Sequence, residues 1–436
     1  MIDIVSPQNS AIDLNSNRPT DEGMSDSSDA SSRISALEKF AYLIVFILLV
    51  AIRIPIIFGQ GRFWAEEGTI FFANAFHFPW YKALFTSYAG YLNLPANLAG
   101  ILAKELAPMN KACLVSSGLA LIFQSFPALL LCTTKEPWLQ NRRALLCALL
   151  LVASLPMSHE VWLSSISSQY HLNLCVGIIL ALQTESGVRA ILPWFILFLT
   201  PLSGPGGSFL IPLFAWRAIF ERSKQRLLQT LMLTLSTAIQ LLYFYQPQLR
   251  DFGIDPALMC YVFCLKHIIE PTCGMLVAIR ITQHWRESFA HGDISGLVIV
   301  ATPCVFLSLT ALAIRSKQKP AIFFVMSGIL MASVSYLGAL GNRLDFLTVE
   351  IGNRYVFAPQ LMIELAILCL AFTTNGFSRL CCRWLIVWLL VVALHEFFFI
   401  PPVFCSGPSW RSEVRLFEQD HSHKMLIWPY GWSVSL

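Results

Sequence analysis

Ile294-Ser295-Gly296-Leu297-Val298-Ile299-Val300-Ala301-Thr302-Pro303-Cys304-Val305-Phe306-Leu307-Ser308-Leu309-Thr310-Ala311-Leu312-Ala313-Ile314 carries no charge and runs straight into Arg315-Ser316-Lys317-Gln318-Lys319. About 20 apolar residues at ~1.5 Å rise each span a bilayer core. Lys and Arg in a short loop mark its cytoplasmic side. The stretch therefore reads as a membrane-crossing helix that ends in a cytoplasmic turn. The same criterion places spans near 38–58, 111–133, 227–246, 320–341, 355–374 and 384–401, with shorter ones at 144–160, 171–184, 190–202 and 208–220. The last two flank Ser203-Gly204-Pro205-Gly206-Gly207, a break that two short spans or one re-entrant hairpin would equally explain.

Composition agrees with this reading. Of 436 residues, 56% are hydrophobic and only 13% charged, about half the charged share of a soluble domain, and mean hydropathy is +0.62. Such a chain cannot cover itself with polar side chains, so its solvent is lipid. A soluble enzyme, a disordered scaffold and a nucleic-acid binder are excluded; the net charge of +4 sits in loops. The 12 cysteines lack CxxC or Cys/His spacing and read as buried hydrophobes. Residues 1–36, rich in Ser, Asp and Asn, read as a disordered cytoplasmic tail. The apolar run that follows starts too late and is too long for a signal peptide.

The basic clusters Lys135/Arg142/Arg143, Arg222/Lys224/Arg226, Arg315/Lys317/Lys319 and Arg379/Arg383 all fall inside if the N-terminus is cytoplasmic and there are about 11 spans. This requires 247–293 to be an outer, partly interfacial segment. Counting 259–280 as a twelfth span would violate the charge rule, and it contains Lys266, His267, Glu270 and Pro271. The expectation is an all-α polytopic transmembrane domain over 37–401, with a C-terminal tail at 402–436 outside. The long polar segments 59–110, 247–293 and 402–436 then share the outer face.

The first outer loop reads Gly61-Arg62-Phe63-Trp64-Ala65-Glu66-Glu67-Gly68-Thr69 and continues through Ser87-Tyr88-Ala89-Gly90-Tyr91-Leu92-Asn93-Leu94-Pro95 into an amphipathic stretch. An acidic pair in a large first outer loop, with amphipathic helices before the second span, resembles the GT-C glycosyltransferases. Within that superfamily, Trp-x-Glu-Glu-Gly followed by Tyr-Ala-Gly-Tyr is similar to a group of bacterial polytopic proteins. Gly352-Asn353-Arg354-Tyr355 entering a late span, and the tail Trp410 … Ile427-Trp428-Pro429-Tyr430-Gly431-Trp432, extend the resemblance. The superfamily usually has Asp in the pair, whereas both residues here are Glu.

The resemblance implies an enzyme of the bacterial inner membrane with its C-terminus periplasmic. It would move a hexose or pentose from a polyprenyl-phosphate carrier to a glycan or glycolipid acceptor of the cell envelope, such as lipopolysaccharide. A phosphate leaving group needs little protonation, so one carboxylate suffices as base for the acceptor hydroxyl; ordinary glycoside hydrolysis uses two. Glu66 or Glu67 would be that base. The other would orient the acceptor or bind a divalent metal ion, the one cofactor left open. Arg354 and Arg343, at outer helix ends, suit the donor phosphate, and equally suit snorkelling anchors. Trp64, Tyr88, Tyr91 and Tyr355 are candidate substrate contacts, the first three also fitting an interfacial aromatic belt. His159 and Gln169, in the connection His159-Glu160-Val161-Trp162 … Gln169-Tyr170-His171, are further candidates.

Other polar groups stay open. Glu364 lies near mid-membrane, where a carboxylate is functional or a protonated partner of a neighbouring helix. His395-Glu396 lies in the outer half of the last span, and His421-Ser422-His423 has no matching metal ligands nearby. Cys260, Cys264 and Cys273 would allow one outer disulfide. The competing reading is a transporter or flippase of a lipid-linked glycan, which the Ser203–Gly207 break and Glu364 fit and the large first loop does not. A membrane acyltransferase would need a nucleophile- or His-centred constellation, and none stands out.

Overall fold

The computed structural model describes residues 34–244, 255–339 and 344–436. The chain is predominantly helical, as the apolar runs require. Ser35 opens the first helix, Ala36–Arg53, through a reciprocal cap in which the Ser35 hydroxyl accepts from the Glu38 amide and the Glu38 carboxylate accepts from the Ser35 amide. Residues 1–33 of the expected tail lie outside the described residues.

Among the described residues, six helices are long and apolar enough to cross a membrane: Met109–Thr133, Pro256–Ala290, Gly296–Ser316, Lys319–Gly338, Asn353–Thr373 and Gly376–Phe397. This defines a helical membrane protein. The other expected crossings are shorter helices: Ala36–Arg53, Arg142–Ser154, Ser168–Ala181, Ile191–Leu199, Ile211–Glu221 and Lys224–Leu241. At the centre lie helices 168–181 and 353–373, packed closely where glycine omits a side chain. Gly177 lies against Met362, and Gly328 against the Pro359 carbonyl. Nearly every side chain of these two helices is buried.

Pro256–Ala290 does not run straight. Gly274, at φ 77°, interrupts it, and a Cβ there would sit 2.7 Å from the Glu396 carboxylate. The second limb folds back on the first, so that Tyr261 meets Trp285 and Phe289 at ring-centroid distances of 4.7 and 4.8 Å. In a straight helix the last pair would lie about 42 Å apart. The Ser295 amide, opening the next helix, bonds the Tyr261 hydroxyl at 2.7 Å. The two ends of the hairpin thus lie together, although its length alone would allow a crossing.

Its apex region carries a buried polar chain. Lys266 donates to Glu270 (2.7 Å), Asn353 and the Thr348 and Val349 carbonyls. His267 bridges Tyr336 and Gln360, each at 2.9 Å, and Gln360 donates to Glu364 at 2.9 Å. Glu364 therefore bonds its own helix one turn earlier, rather than a neighbouring one. The outer disulfide that Cys260, Cys264 and Cys273 would allow is not formed: all three are free. Cys264 faces Thr302, while Cys273 is exposed beside the Gly274 bend.

The four basic clusters gather at one end of the bundle. Glu38 pairs with Arg142 at 2.9 Å, and Lys39 bonds Gln140. The Gln183 amide donates to Glu136, Lys319 pairs with Glu221, and Arg383 caps the Ala371 carbonyl. The Ser203–Gly207 break lies at the opposite end against Gln169 and Asn173. Also at that end, the first loop folds into a π-helical turn Glu67–Phe72, the short helices Ala73–His77 and Trp80–Leu84, a two-stranded hairpin pairing Ser87–Tyr88 with Tyr91–Leu92, and helix Leu94–Leu106. The C-terminal helix Trp410–Gln419 and the hairpin Met425–Ile427/Trp432–Val434 cap it through Phe63, Phe72, Trp410, Met425 and Ile427.

Candidate active-site cleft

The acidic pair is divided by its backbone. Ala65 takes a left-handed turn at φ 44°, held by its amide on the Trp428 carbonyl, while the Trp428 amide bonds the Phe63 carbonyl at 3.1 Å. After this turn Glu67 points into the protein. Its Oε1 accepts from the Ser116 hydroxyl (2.6 Å), the Ser165 hydroxyl (2.7 Å) and the Ser165 amide (2.8 Å), and its Oε2 from the Trp64 amide (3.0 Å). Glu67 is 2% exposed and saturated, which removes it as a candidate base. Glu66 is half-buried and, among the described residues, has no hydrogen bond or ion pair. It is the free carboxylate of the pair.

Glu66 lies within electrostatic reach of Tyr88, Tyr91, Glu160 and Arg354. Arg354 Nη1 pairs with Glu160 Oε1 at 3.1 Å, and its guanidinium lies 5.3 Å from the Tyr355 ring centroid. Tyr355 stands edge-on to Tyr170, and Gln169 bonds the Tyr91 hydroxyl at 3.4 Å. The strand bearing Tyr91 is held by Gln240, which bonds the Leu92 amide and carbonyl at 3.3 and 3.2 Å. Burial pushes the Tyr88 and Tyr91 hydroxyls up, and the Glu66 carboxylate adds to this, so both stay protonated donors. Burial also pushes the Glu160 carboxyl up, against the pull of Arg354.

Of this group, Gln169, Gln240, Tyr170, Arg354 and Tyr355 line a cavity of ≈ 590 Å³. Gln169, Tyr170, Asn173, Arg354 and Tyr355 form one part of its wall; Phe209, Leu241, Phe244, Met331, Leu337 and Pro359 form an apolar part. Tyr170 and the adjacent pair Arg354–Tyr355 are the side chains that escape burial within the otherwise buried body of the two central helices. Asn173 is 6% exposed with an unbonded carbonyl oxygen.

Glu66, Tyr88, Tyr91, Gln169, Arg354 and Tyr355 thus come together. Trp64 does not present a face to the cleft. It is buried, stacked on Phe404 at 5.2 Å, with Arg62 over its ring. His159 is also turned away, 1% exposed and stacked on Phe404; burial pushes its imidazole down to about 3. The adjacent Glu160 reaches the cleft instead, and with Tyr170, Asn173 and Gln240 it was missed. The 159–171 connection contains Glu160 and Tyr170, but only its local turn decides which of two neighbours faces inward. Arg343 lies outside the described residues. Among the described residues no group of three or more His, Cys, Asp or Glu is placed to hold a metal ion. His423 bonds Glu413 at 2.9 Å.

Fold and cleft together define a predominantly helical membrane protein with an acidic, basic and aromatic site at the end opposite its basic turns. No protein family, curated protein or solved structure matches the chain.

Proposed function

We propose that the protein is a GT-C-like glycosyltransferase, with about 11 crossings of the bacterial inner membrane and its cleft on the periplasmic face. The observation that carries this reading is Glu66: an unpartnered carboxylate beside the Glu160–Arg354 pair at the polar mouth of an apolar cavity. A polyprenyl chain suits the apolar wall, and a sugar phosphate suits the mouth. Glu66 takes the proton from the acceptor hydroxyl as its oxygen attacks the anomeric carbon. The bond from that carbon to the phosphate oxygen breaks with inversion, and polyprenyl phosphate leaves. Arg354 spends one of its five donors on Glu160 and has others for the phosphate charge. Tyr88, Tyr91 and Gln169 supply hydrogen bonds to the sugar or acceptor.

Glu66→Gln is expected to abolish transfer while expression and membrane insertion persist, read as loss of one sugar from the cell-surface glycan by mass analysis. An unchanged glycan in that variant overturns the assignment. The transporter reading predicts instead that purified protein supplied with polyprenyl-phosphate sugar and acceptor makes no glycosidic bond.

A further inference from the structure

The end of the bundle opposite the cleft holds a second cavity, of ≈ 690 Å³. Arg217, Arg226, Lys317 and Lys319 line it, against the carboxylates of Glu136 and Glu221. The two arginines have an evident local role. They donate to the Ile179, Leu180 and Leu182 carbonyls, at the end of helix 168–181 where the helix dipole favours cations. The lysines do not share it.

The charge is left unbalanced. Glu221 serves Arg217, Arg226 and Lys319, at 3.1, 3.6 and 3.2 Å. Glu136 accepts from the Gln183 amide at 3.1 Å, and burial pushes its carboxyl up, which weakens it as a counter-charge. Lys317, in a left-handed turn at φ 56°, has no side-chain partner among the described residues. The volume is that of a small-molecule site. Alongside it, helix 211–221 exposes Ile219 and Phe220 at 73% and 75%, an apolar surface fit for acyl chains.

We propose that this cavity binds a phosphate-bearing anion, with Lys317 and Lys319 as its direct ligands and the buried arginines as a fixed positive field. Phosphate oxygens accept from ammonium groups at such basic pockets between helices. The exposed Ile219 and Phe220 favour a phospholipid headgroup as the source, and a soluble phosphate ester offers the same chemistry.

The test uses the full chain purified in neutral detergent, with native mass spectrometry after exposure to phosphatidylglycerol or phosphatidylcholine. Wild type is expected to retain phosphatidylglycerol in preference. Lys317→Gln/Lys319→Gln is expected to weaken that retention about tenfold, while Lys317→Arg/Lys319→Arg keeps it and shows that the fold survives. Displacement of the lipid by inorganic phosphate supports the phosphate site with a soluble source; resistance to displacement supports the headgroup. Equal retention of the two lipids with no phosphate binding overturns the proposal, as does a preference unchanged in the Gln pair.

Discussion

Glu66 and Glu67 are adjacent in sequence and opposite in circumstance. Glu67 receives four hydrogen bonds from three different segments of chain, while Glu66 receives none among the described residues. Glu67→Gln replaces a carboxylate oxygen by an amide that presents protons to donors. It is expected to destabilise the protein by about 1–3 kcal/mol, seen as a lower melting temperature in detergent, with activity lost only as folded protein is lost. Glu66→Gln is expected to leave the melting temperature unchanged; a large drop would place Glu66 in the scaffold. The sequence made both carboxylates visible but could not choose between them. The choice rests on the Ala65 turn and on Ser116 and Ser165, which stand 49 and 98 residues away in sequence from Glu67. Trp64 shows the same limit: an aromatic beside an acidic pair suits a sugar, yet Phe404 and Arg62 occupy its faces.

Among the elements, the 256–290 hairpin best separates composition from geometry. Its hydropathy is that of a crossing helix, and its bend is set by one glycine. The loop charges had already placed its two ends on one side, because a crossing here would have put Arg315, Lys317 and Lys319 outside. The contact of Tyr261 with Phe289 brings those two ends together. Asp255→Cys and His291→Cys are therefore expected to react with a membrane-impermeant maleimide from the same face, in a background cleared of exposed cysteines. Labelling from opposite faces would rule out the hairpin. The helices of 9–13 residues were legible only as short apolar runs. Their length is too small to announce a crossing, and they gain their place by packing around helices 168–181 and 353–373.

At the scale of the whole molecule, charge sorting predicted two unlike ends, and the contacts of Arg142, Arg217, Arg226 and Lys319 gather the basic turns at one of them. A reporter active only outside the cytoplasm, fused after Leu436, is expected to be active, and one active only inside to be silent. The reverse pattern would invert the orientation. What no stretch of sequence announced is that the cleft is built by both ends of the chain. The Trp428 carbonyl holds the turn that presents Glu66, more than 360 residues earlier. During synthesis, the carboxylate thus reaches its own side of the membrane long before its support does. A chain cut short before Trp428 carries the acidic loop without its floor. The turn that presents Glu66 is therefore completed only once the segment around Trp428 has been made.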